Sequence, residues 1–372
     1  MKYPNTTNCL PKPLATVASR LHGGPDALGV PRFDFSTNSN ACGPCPIALT
    51  AVQRADSTRY PDPRYAALRA QLAAFHGVEH DRVLVSGSAS ECIFRITAWV
   101  ARRGGARVCV PQHAYGDYMQ AAQAWGMGVT RSASGASLVW CCEPSSPLGG
   151  AYSPWPNAEQ GVPRDAPQGR STEGLPVAPQ LLPGLIVLDC AYAPLRLSGA
   201  PSFSPDGLAH VWQLFSPNKA LGLTGVRAAY AIAPMGREAE VLALDALAPS
   251  WPLGAHGVAM LQAWVQPEVQ GWLAESLHTL RRWKARQMEM LSAAGWTCLP
   301  SDANFFCARP ALLAHAPADS FAAWIAELQR LRSVGIKLRD TASFGLPGLV
   351  RLGVLPPVAQ DALRLALQTA SR

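Results

Sequence analysis

The chain is short of lysine. Five lysines, Lys2, Lys12, Lys219, Lys284 and Lys337, leave 27 of its 32 basic residues as arginine. Surface positive charge is therefore written as Arg. A lysine set in a Ser/Gly-rich stretch then points to a need for a primary amine, because a guanidinium neither gives up its proton nor condenses with a carbonyl. Charged residues of both signs make up only 15% of 372 residues, against 48% hydrophobic, which describes a globular chain with a large core and suits two domains. No apolar stretch reaches the roughly eighteen residues of a membrane span, so none is expected. The opening MKYPNTTNCL has no apolar run after its lysine, so no secretory signal is expected either. Ten cysteines without such a signal predict a reducing compartment, and hence the cytoplasm. The net charge of +7 comes with no Lys/Arg run and no basic-aromatic stripe, so anionic small ligands account for it better than nucleic acid. Eight histidines show no metal-ligand spacing, and no metal is expected. Cys42-Gly43-Pro44-Cys45 has the tetrapeptide of thioredoxins, but it lies in a Pro/Asn/Gly loop without the preceding strand and tryptophan.

What is present centres on Ser216-Pro217-Asn218-Lys219-Ala220-Leu221-Gly222-Leu223-Thr224-Gly225-Val226-Arg227. One physical reading is a Schiff-base site. The Lys219 amine condenses with an aldehyde, Ser216 and Arg227 hold an anionic handle beside it, and the glycines admit close backbone approach. The other is a turn entering a buried strand, Val226 to Ala233, with one exposed lysine. Ser216-x-x-Lys219 also fits penicillin-interacting serine enzymes, but their Ser-Asp-Asn and Lys-Thr-Gly partners do not occur.

The stretch closely resembles the lysine motif of fold-type I pyridoxal-phosphate (PLP) enzymes, the class I/II aminotransferase family: Ser-x-x-Lys-x-x-Gly-x-x-Gly-x-Arg, with every fixed position present. The resemblance implies that Lys219 forms an imine with pyridoxal 5′-phosphate and that Ser216 and Arg227 bind its phosphate.

Along the chain, residues 1–35 read as an irregular N-terminal arm. Helical patterns at Pro46 to Ala55 and Tyr65 to His76 follow, the second with Leu68, Leu72 and Phe75 on one face. Strands and helices then alternate: Val83-Leu84-Val85, a helix from Cys92 to Arg102, Val108-Cys109-Val110, a helix from Tyr118 to Trp125, strands near Val129 and at Leu138-Val139-Trp140, Leu185 to Leu188, and Val211 to Phe215. Such units predict an α/β fold with a mainly parallel sheet covered by helices and chemistry at the strand ends. Residues 149–184, rich in Pro and Gly, read as a mobile insertion. After residue 236 a helix runs to Leu247 and a long one covers 268–293. Short strands fall near Phe305, Ile336 and Leu349 to Val354, and helices at 321–332 and 358–369. The expected division is an arm (1–35), a large cofactor-binding domain (36–245) and a smaller α+β domain (246–372) packed with the arm.

The remaining elements test the resemblance. Ser86 to Glu91 joins a strand to a helix start, where small side chains let an anion reach free N–H groups. The resemblance puts Ala89 and Ser90 on the phosphate. It stacks Tyr115 on the pyridine ring, in preference to Tyr118. Asp189 ends a strand, and a buried carboxylate needs a cationic partner. A pyridinium nitrogen is such a partner, and Asp189-x-x-Tyr192 matches the family, with Tyr192 donating to the ring oxygen O3′. Glu143-Pro144-Ser145-Ser146-Pro147 departs from the usual Asn-Pro-x-Asn-Pro. Ser146 stands where an Asn contacts O3′, which puts the cofactor electronics in question. Arg351 lies in an otherwise apolar strand and corresponds to the arginine that grips a substrate carboxylate, with Asn304 beside it in Ala303-Asn304-Phe305. Tyr60 corresponds to a tyrosine that reaches the neighbouring subunit's cofactor phosphate, implying a homodimer with shared sites.

The resemblance narrows to the branch holding histidinol-phosphate aminotransferases and L-threonine-O-3-phosphate decarboxylases. His22-Gly23-Gly24 followed by Asp34-Phe35-Ser36-Thr37-Asn38-Ser39-Asn40 looks more like the decarboxylases of cobalamin biosynthesis. Decarboxylation of a small phosphorylated amino acid is therefore the first expectation, with Asn38 and His22 at the substrate and Arg20, Arg32 and Arg339 as further candidates for its phosphate. Transamination of histidinol-phosphate type is the alternative, and a PLP-fold protein with impaired catalysis, or a redox protein using Cys42 and Cys45, the third.

Overall fold

The chain is described from a computed structural model, in which residues 22–151, 184–313 and 320–369 are placed. Arg20, the start of the arm and nearly all of the 149–184 insertion lie outside the described residues.

A short strand, β1 (Phe33–Asp34), leads into helices α1 (Pro46–Gln53) and α2 (Ala66–His76). Then the expected alternation begins: β2 (Val83–Ser86), α3 (Ala89–Arg102), β3 (Arg107–Cys109), α4 (Gly116–Ala124), β4 (Gly128–Thr130), β5 (Leu138–Cys142), β6 (Leu185–Asp189), α5 (Pro205–Leu208), β7 (Trp212–Phe215) and β8 (Ala229–Ile232). β2 to β8 form a seven-stranded sheet in the order β2-β8-β7-β6-β5-β3-β4. Only β8 runs against its neighbours, pairing antiparallel with β2 and β7, while the other pairings are parallel. β5 is buried at all five positions. A strand apolar on both faces belongs inside a sheet covered by helices on both sides, not at a half-wet surface. α3 shows why the covering helices form: Cys92, Ile93, Ile96 and Val100 fall on one face and are buried.

The C-terminal third is built differently. α6 (Glu238–Asp245), α7 (Ala255–Trp264) and the 27-residue α8 (Pro267–Ala293) are followed by β9 (Thr297–Cys298), β10 (Phe305–Arg309), α9 (Ser320–Ser333), β11 (Ile336–Lys337), β12 (Arg339–Asp340), β13 (Val350–Gly353) and α10 (Pro357–Thr369). β12-β13-β10-β9 make an antiparallel sheet. β1 pairs in parallel with β11, which ties the start of the chain to this part of the molecule. α8 carries the inward row Val269, Leu273, Ser276, Leu280, Lys284, Gln287 and Leu291 at three- and four-residue spacing. Burial lowers the pKa of Lys284 to about 8. Its amine donates to the carbonyls of Ser301 and Ala303, and so braces the turn before β10.

Three details depart from the sequence reading. α7 was not anticipated, although Gly257, Met260, Leu261 and Trp264 give it a buried stripe. α3 starts at Ala89, three residues before the expected Cys92, because Ser88 caps it by accepting a bond from Glu91 N at 3.1 Å. Phe75 is 38% exposed and does not join Leu68 and Leu72 in the core.

The end of α2 rests on an aromatic cluster beneath the lysine stretch. His76 Nε2 lies 2.9 Å from the Tyr230 hydroxyl, which also accepts from Trp264 Nε1 at 3.1 Å, and the His76 ring is 4.7 Å from that of Phe215. Burial pulls the His76 pKa from 6.5 to about 4. The unfolded chain therefore binds the proton first. Stability is full above about pH 6.5 and falls as pH drops toward about 4, by on the order of 3 kcal/mol from this group. Urea midpoints at pH 7 and pH 5 should diverge less in His76→Gln than in the parent; equal divergence refutes the assignment.

Candidate active site

The strand ends converge. Asp189 closes β6, Ser216 follows β7, Tyr115 follows β3 by six residues, Ser146 follows β5 by four, and the turn into α3 follows β2. The loop after β7 is held mainly by its own backbone. Leu221 N donates to Pro217 O at 2.9 Å, Gly222 N to Lys219 O at 3.2 Å, and Leu223 N to Asn218 O at 2.8 Å. Gly222 has φ +69°, and a Cβ there would stand 2.6 Å from Gly43 O, so only glycine fits. Asn40 N donates to Lys219 O, and Cys45 N to Leu221 O, both at 2.9 Å. The Cys42–Cys45 turn thus serves as backing for the lysine loop. Lys219 itself is half-buried, with Nζ 5.4 Å from the centre of the Tyr192 ring.

Asp189 is 4% exposed. Its Oδ2 accepts from the Tyr118 hydroxyl at 2.6 Å and its Oδ1 from Ala191 N at 2.9 Å. Burial pushes its pKa up, while these two bonds and the nearby Lys219 charge pull it down. Tyr118 is wholly buried and stacks on Trp140, ring centres 4.9 Å apart and planes 8° apart. The sequence reading missed this tyrosine's partner: position 118 was weighed only as a stacking ring. Tyr192 OH takes a bond from Asn38 Nδ2 at 3.3 Å.

Ser146 does not turn toward Tyr192. Its Oγ accepts from Arg351 Nη1 at 3.2 Å, and Arg351 Nη2 donates to Ser36 O at 3.2 Å. Arg351 is 7% exposed and has no carboxylate within ion-pair distance among the described residues; rings of Phe344 and Phe305 lie 5.5 and 5.6 Å from its Cζ. Arg339 is its register partner across β12 and β13 and is also buried. Burial lowers the pKa of both, and the neighbouring Arg351 charge lowers that of Arg339 further. Asn304 Nδ2 donates to the carbonyls of Asn38 and Ser39, at 3.3 and 3.1 Å, so it fixes the segment carrying Asn38. Glu143 is engaged elsewhere, accepting from Arg196 Nη2 at 2.7 Å.

At the rim, Ser90 Oγ lies 3.1 Å from Tyr115 OH at the first turn of α3, next to Ala89. His22 is exposed, with its ring 6.1 Å from that of Tyr115. A side chain at Gly23 would collide with the Ser36 carbonyl, and Gly24 N donates to Ser36 Oγ at 3.0 Å, so the His-Gly-Gly turn is seated on the segment leading to Asn38. Arg32 also lies at the surface, its guanidinium 5.2 Å from the Phe33 ring. Two further expected residues lie at the surface. Arg227 is exposed, and Tyr60 is 78% exposed and stacked on Trp251 at 4.4 Å.

The residues suit pyridoxal 5′-phosphate. Ser216 Oγ, Asn38 Oδ1, Asn304 Oδ1 and Arg351 Nε are buried polar atoms without a hydrogen-bond partner among the described residues, and all belong to this assembly. A buried carboxylate with neutral donors and an amine set over a phenol ring complete a donor set matched to a pyridinium, an aldehyde and an anion.

Comparison with known proteins gives the same frame. The family model for aminotransferase class I and II matches residues 31–138 and 182–369. A histidinol-phosphate aminotransferase of Jannaschia sp. (strain CCS1) is 27% identical over 361 residues, covering 91% of this chain and 90% of that protein. An aromatic amino acid aminotransferase of Nocardia farcinica is 28% identical over 300 residues, covering 73% and 76%. Among solved structures, histidinol-phosphate aminotransferase from Sinorhizobium meliloti in complex with pyridoxal-5′-phosphate superposes with a TM-score of 0.69 at 22% identity, covering 90% of each chain. L-threonine-O-3-phosphate decarboxylase from Porphyromonas gingivalis does so with a TM-score of 0.65 at 19% identity, covering 91% of this chain and 98% of that one. The shared fold is the mainly parallel sheet covered by helices that the sequence led us to expect.

The Tyr118–Asp189 bond sets a measurable pH signature. Tyr118→Phe removes the donor that favours the ionised acid, so the Asp189 pKa rises further. The resulting loss of about 1–2 kcal/mol in cofactor-free protein should be full at pH 8 and shrink toward pH 4, as the raised pKa leaves the acid neutral in the folded parent and the folded variant alike. Chemical denaturation at the two pH values checks this, and a pH-independent loss counts against it.

Proposed function

The chain belongs to the aminotransferase class I and II family, and from that premise we propose that it moves the amino group of a small phosphate-bearing amine, a reaction of histidinol-phosphate type. It is a PLP-dependent enzyme. The observation that carries the substrate class is the pair Arg339 and Arg351, register partners whose guanidiniums flank one aromatic ring. Two buried cations side by side repel, and an anion arriving between them relieves that cost. An aminotransferase admits two substrates in turn. A phosphate monoester and the carboxylates of an oxo acid both present to such a pair the planar or trigonal oxygens that guanidinium forks bind. The names of the curated relatives favour this reading over the decarboxylation that the sequence put first.

Within it each residue has a task. Bound at the strand ends, the cofactor supplies an aldehyde for the substrate amine and a protonated ring that draws off the electron pair released at the substrate carbon. Asp189 would keep the ring nitrogen of the bound cofactor protonated, and Tyr118 and Ala191 N would help keep Asp189 ionised. Lys219 would hold the cofactor through its amine and would serve as the group that carries the proton at the substrate carbon. Tyr192 would donate to the ring oxygen O3′ with Asn38 behind it, Tyr115 would shield the ring from water, and Ser216, Arg227, Ser90 and the N–H groups at Ala89 would hold the phosphate. Tyr60, exposed beside Trp251, reaches the site of a second copy in a homodimer.

Decarboxylation of O-phospho-L-threonine is the second reading, favoured by the seating of His22-Gly23-Gly24 on the Asn38 segment. One pair of incubations separates the two. Glutamate should accumulate with histidinol phosphate and 2-oxoglutarate, and CO₂ release from O-phospho-L-threonine should be absent or minor. CO₂ without glutamate reverses the choice. Lys219→Ala should lower either rate by about 10²–10⁴-fold and remove the borohydride-fixed adduct from position 219.

A further inference from the structure

The start of α3 sets two demands against each other. A helix N-terminus attracts anions, and the reading above places the cofactor phosphate at Ala89 and Ser90. Glu91 N is taken by Ser88 Oγ at 3.1 Å and Cys92 N by Ser88 O at 3.0 Å, so the first-turn N–H groups left open are those of Ala89 and Ser90. Ser216 stands at the same edge of the sheet. Val85 and Phe215 both pair with Tyr230, so β2 and β7 end level, two strand spacings or about 10 Å apart. The Ser216 hydroxyl is buried there without a hydrogen-bond partner among the described residues. Yet the residue after Ser90 is an acid. Glu91 lies in the same first turn, half-buried, and a bare carboxylate at that place repels a dianion arriving at its neighbours.

The acid is not bare. Arg95, one turn on and 4% exposed, holds both carboxylate oxygens: Nε donates to Oε1 at 2.7 Å, and Nη2 to Oε2. Nη2 also donates to Val85 O in β2 at 3.2 Å, and Glu91 Oε2 accepts from Gly87 N at 3.1 Å. Strand end, loop and helix start are thus closed into one ring of bonds through a single ion pair. The loop is backed by the turn before α7, where a Cβ on Gly87 would stand 2.9 Å from Pro252 O. The other carboxylate whose charge reaches Arg95, Asp245, has its own cation in Arg69, at 2.8 Å. Glutamate four residues before arginine is the favourable order on a helix, but an arginine this dry pays in desolvation what a packed apolar residue would not. Fold stability alone is therefore a weak reason for the pair.

We propose that Arg95 is a positioning residue for the cofactor phosphate: by cancelling the charge of Glu91, it lets that carboxylate brace the Gly87 loop without opposing a dianion at Ala89 and Ser90. The proposal rests on the reading above, that this end of α3 receives the phosphate. It adds that affinity for the dianion is set one turn further along the helix, by a residue that acts through Glu91.

The test uses the full chain, freed of cofactor and titrated with pyridoxal 5′-phosphate and with pyridoxal, each counted as its open aldehyde. The ratio of the two affinities isolates the phosphate, because ring and aldehyde are common to both. The parent should favour the phosphorylated form by at least about tenfold. Arg95→Met, similar in length and uncharged, should cut that preference by about tenfold and leave the pyridoxal affinity within about twofold. Glu91→Gln, whose amide oxygen can still accept from Gly87 N, should raise the preference by about threefold or more. The double variant should return close to the parent, and Arg95→Lys, which keeps the charge, should recover most of what Arg95→Met loses. An unchanged ratio in Arg95→Met, equal weakening of both ligands, or a double variant no better than Arg95→Met overturns the inference. Should Arg95→Met fail to fold, Glu91→Gln decides alone, and an unchanged or lowered preference overturns the inference. A parent without preference for the phosphorylated form refutes the reading of the α3 start itself; a parent with the preference and variants that retain it refute only the role of Arg95.

Discussion

A carboxylate buried at a strand end, with one phenol and one amide N–H for solvation, constrains everything around it. Asp189 has exchanged water for Tyr118 OH and Ala191 N, neither of which carries charge. Such a group stays ionised only if positive charge stands near it. The molecule places Lys219 close enough to lower its pKa. β6 is flanked by β5 and β7, so the acid sits deep in the sheet and its neighbours cannot easily move away. The stacking of Tyr118 on Trp140 fixes the phenol, and through it the acid, from the side of α4.

The second constraint is a seam. Residues 36–40 run between the two sheets and bond to both. Ser36 O accepts from Arg351, Asn38 donates to Tyr192, the Asn38 and Ser39 carbonyls accept from Asn304, and Asn40 reaches Lys219 O, Ala220 O and Ser276 Oγ. Five residues thus touch the amine loop, the phenol beside it and the buried Arg351. β1 pairing with β11 fixes one end of this segment, and Cys45 N on Leu221 O fixes the other. Cys42-Gly43-Pro44-Cys45 lies within that far anchor, and its backbone contacts give it a scaffold role. A glycine at 222, against the Gly43 carbonyl, is what lets the two loops approach this closely.

What could be read from sequence follows the range of the interactions. The lysine stretch was legible because its hydrogen bonds close within a few residues, so spacing alone encodes the loop. The alternation of strands and helices was legible because each burial pattern is local. Tyr118 was not: its bond to Asp189 spans 71 positions, and nothing at Gly116-Asp117-Tyr118 distinguishes it from an ordinary core ring. α7 was hidden by the Pro249-Ser250-Trp251-Pro252 turn before it, which reads as a long break, and its buried stripe is short. Ser88 caps α3, and the Ser90 hydroxyl two residues on meets Tyr115 instead, a contact across 25 positions that local spacing does not encode.

Position 146 shows how one substitution redistributes a network. An amide has donors and an acceptor on a longer arm, and a serine offers one hydroxyl close to the backbone. Here that hydroxyl is taken by Arg351, which gives the guanidinium a buried acceptor without a competing negative charge. A carboxylate in its place would neutralise the arginine and close it to a substrate anion, whereas a neutral hydroxyl orients the fork and leaves the charge available. The need for an amide near Tyr192 has not vanished. It is met from the seam, where Asn38 Nδ2 reaches the phenol and Oδ1 remains a buried acceptor. The two polar tasks that one longer side chain at 146 would have combined are therefore divided between Ser146, on the arginine, and Asn38, on the tyrosine, and the close approach of the seam to both sheets is what makes the division geometrically possible.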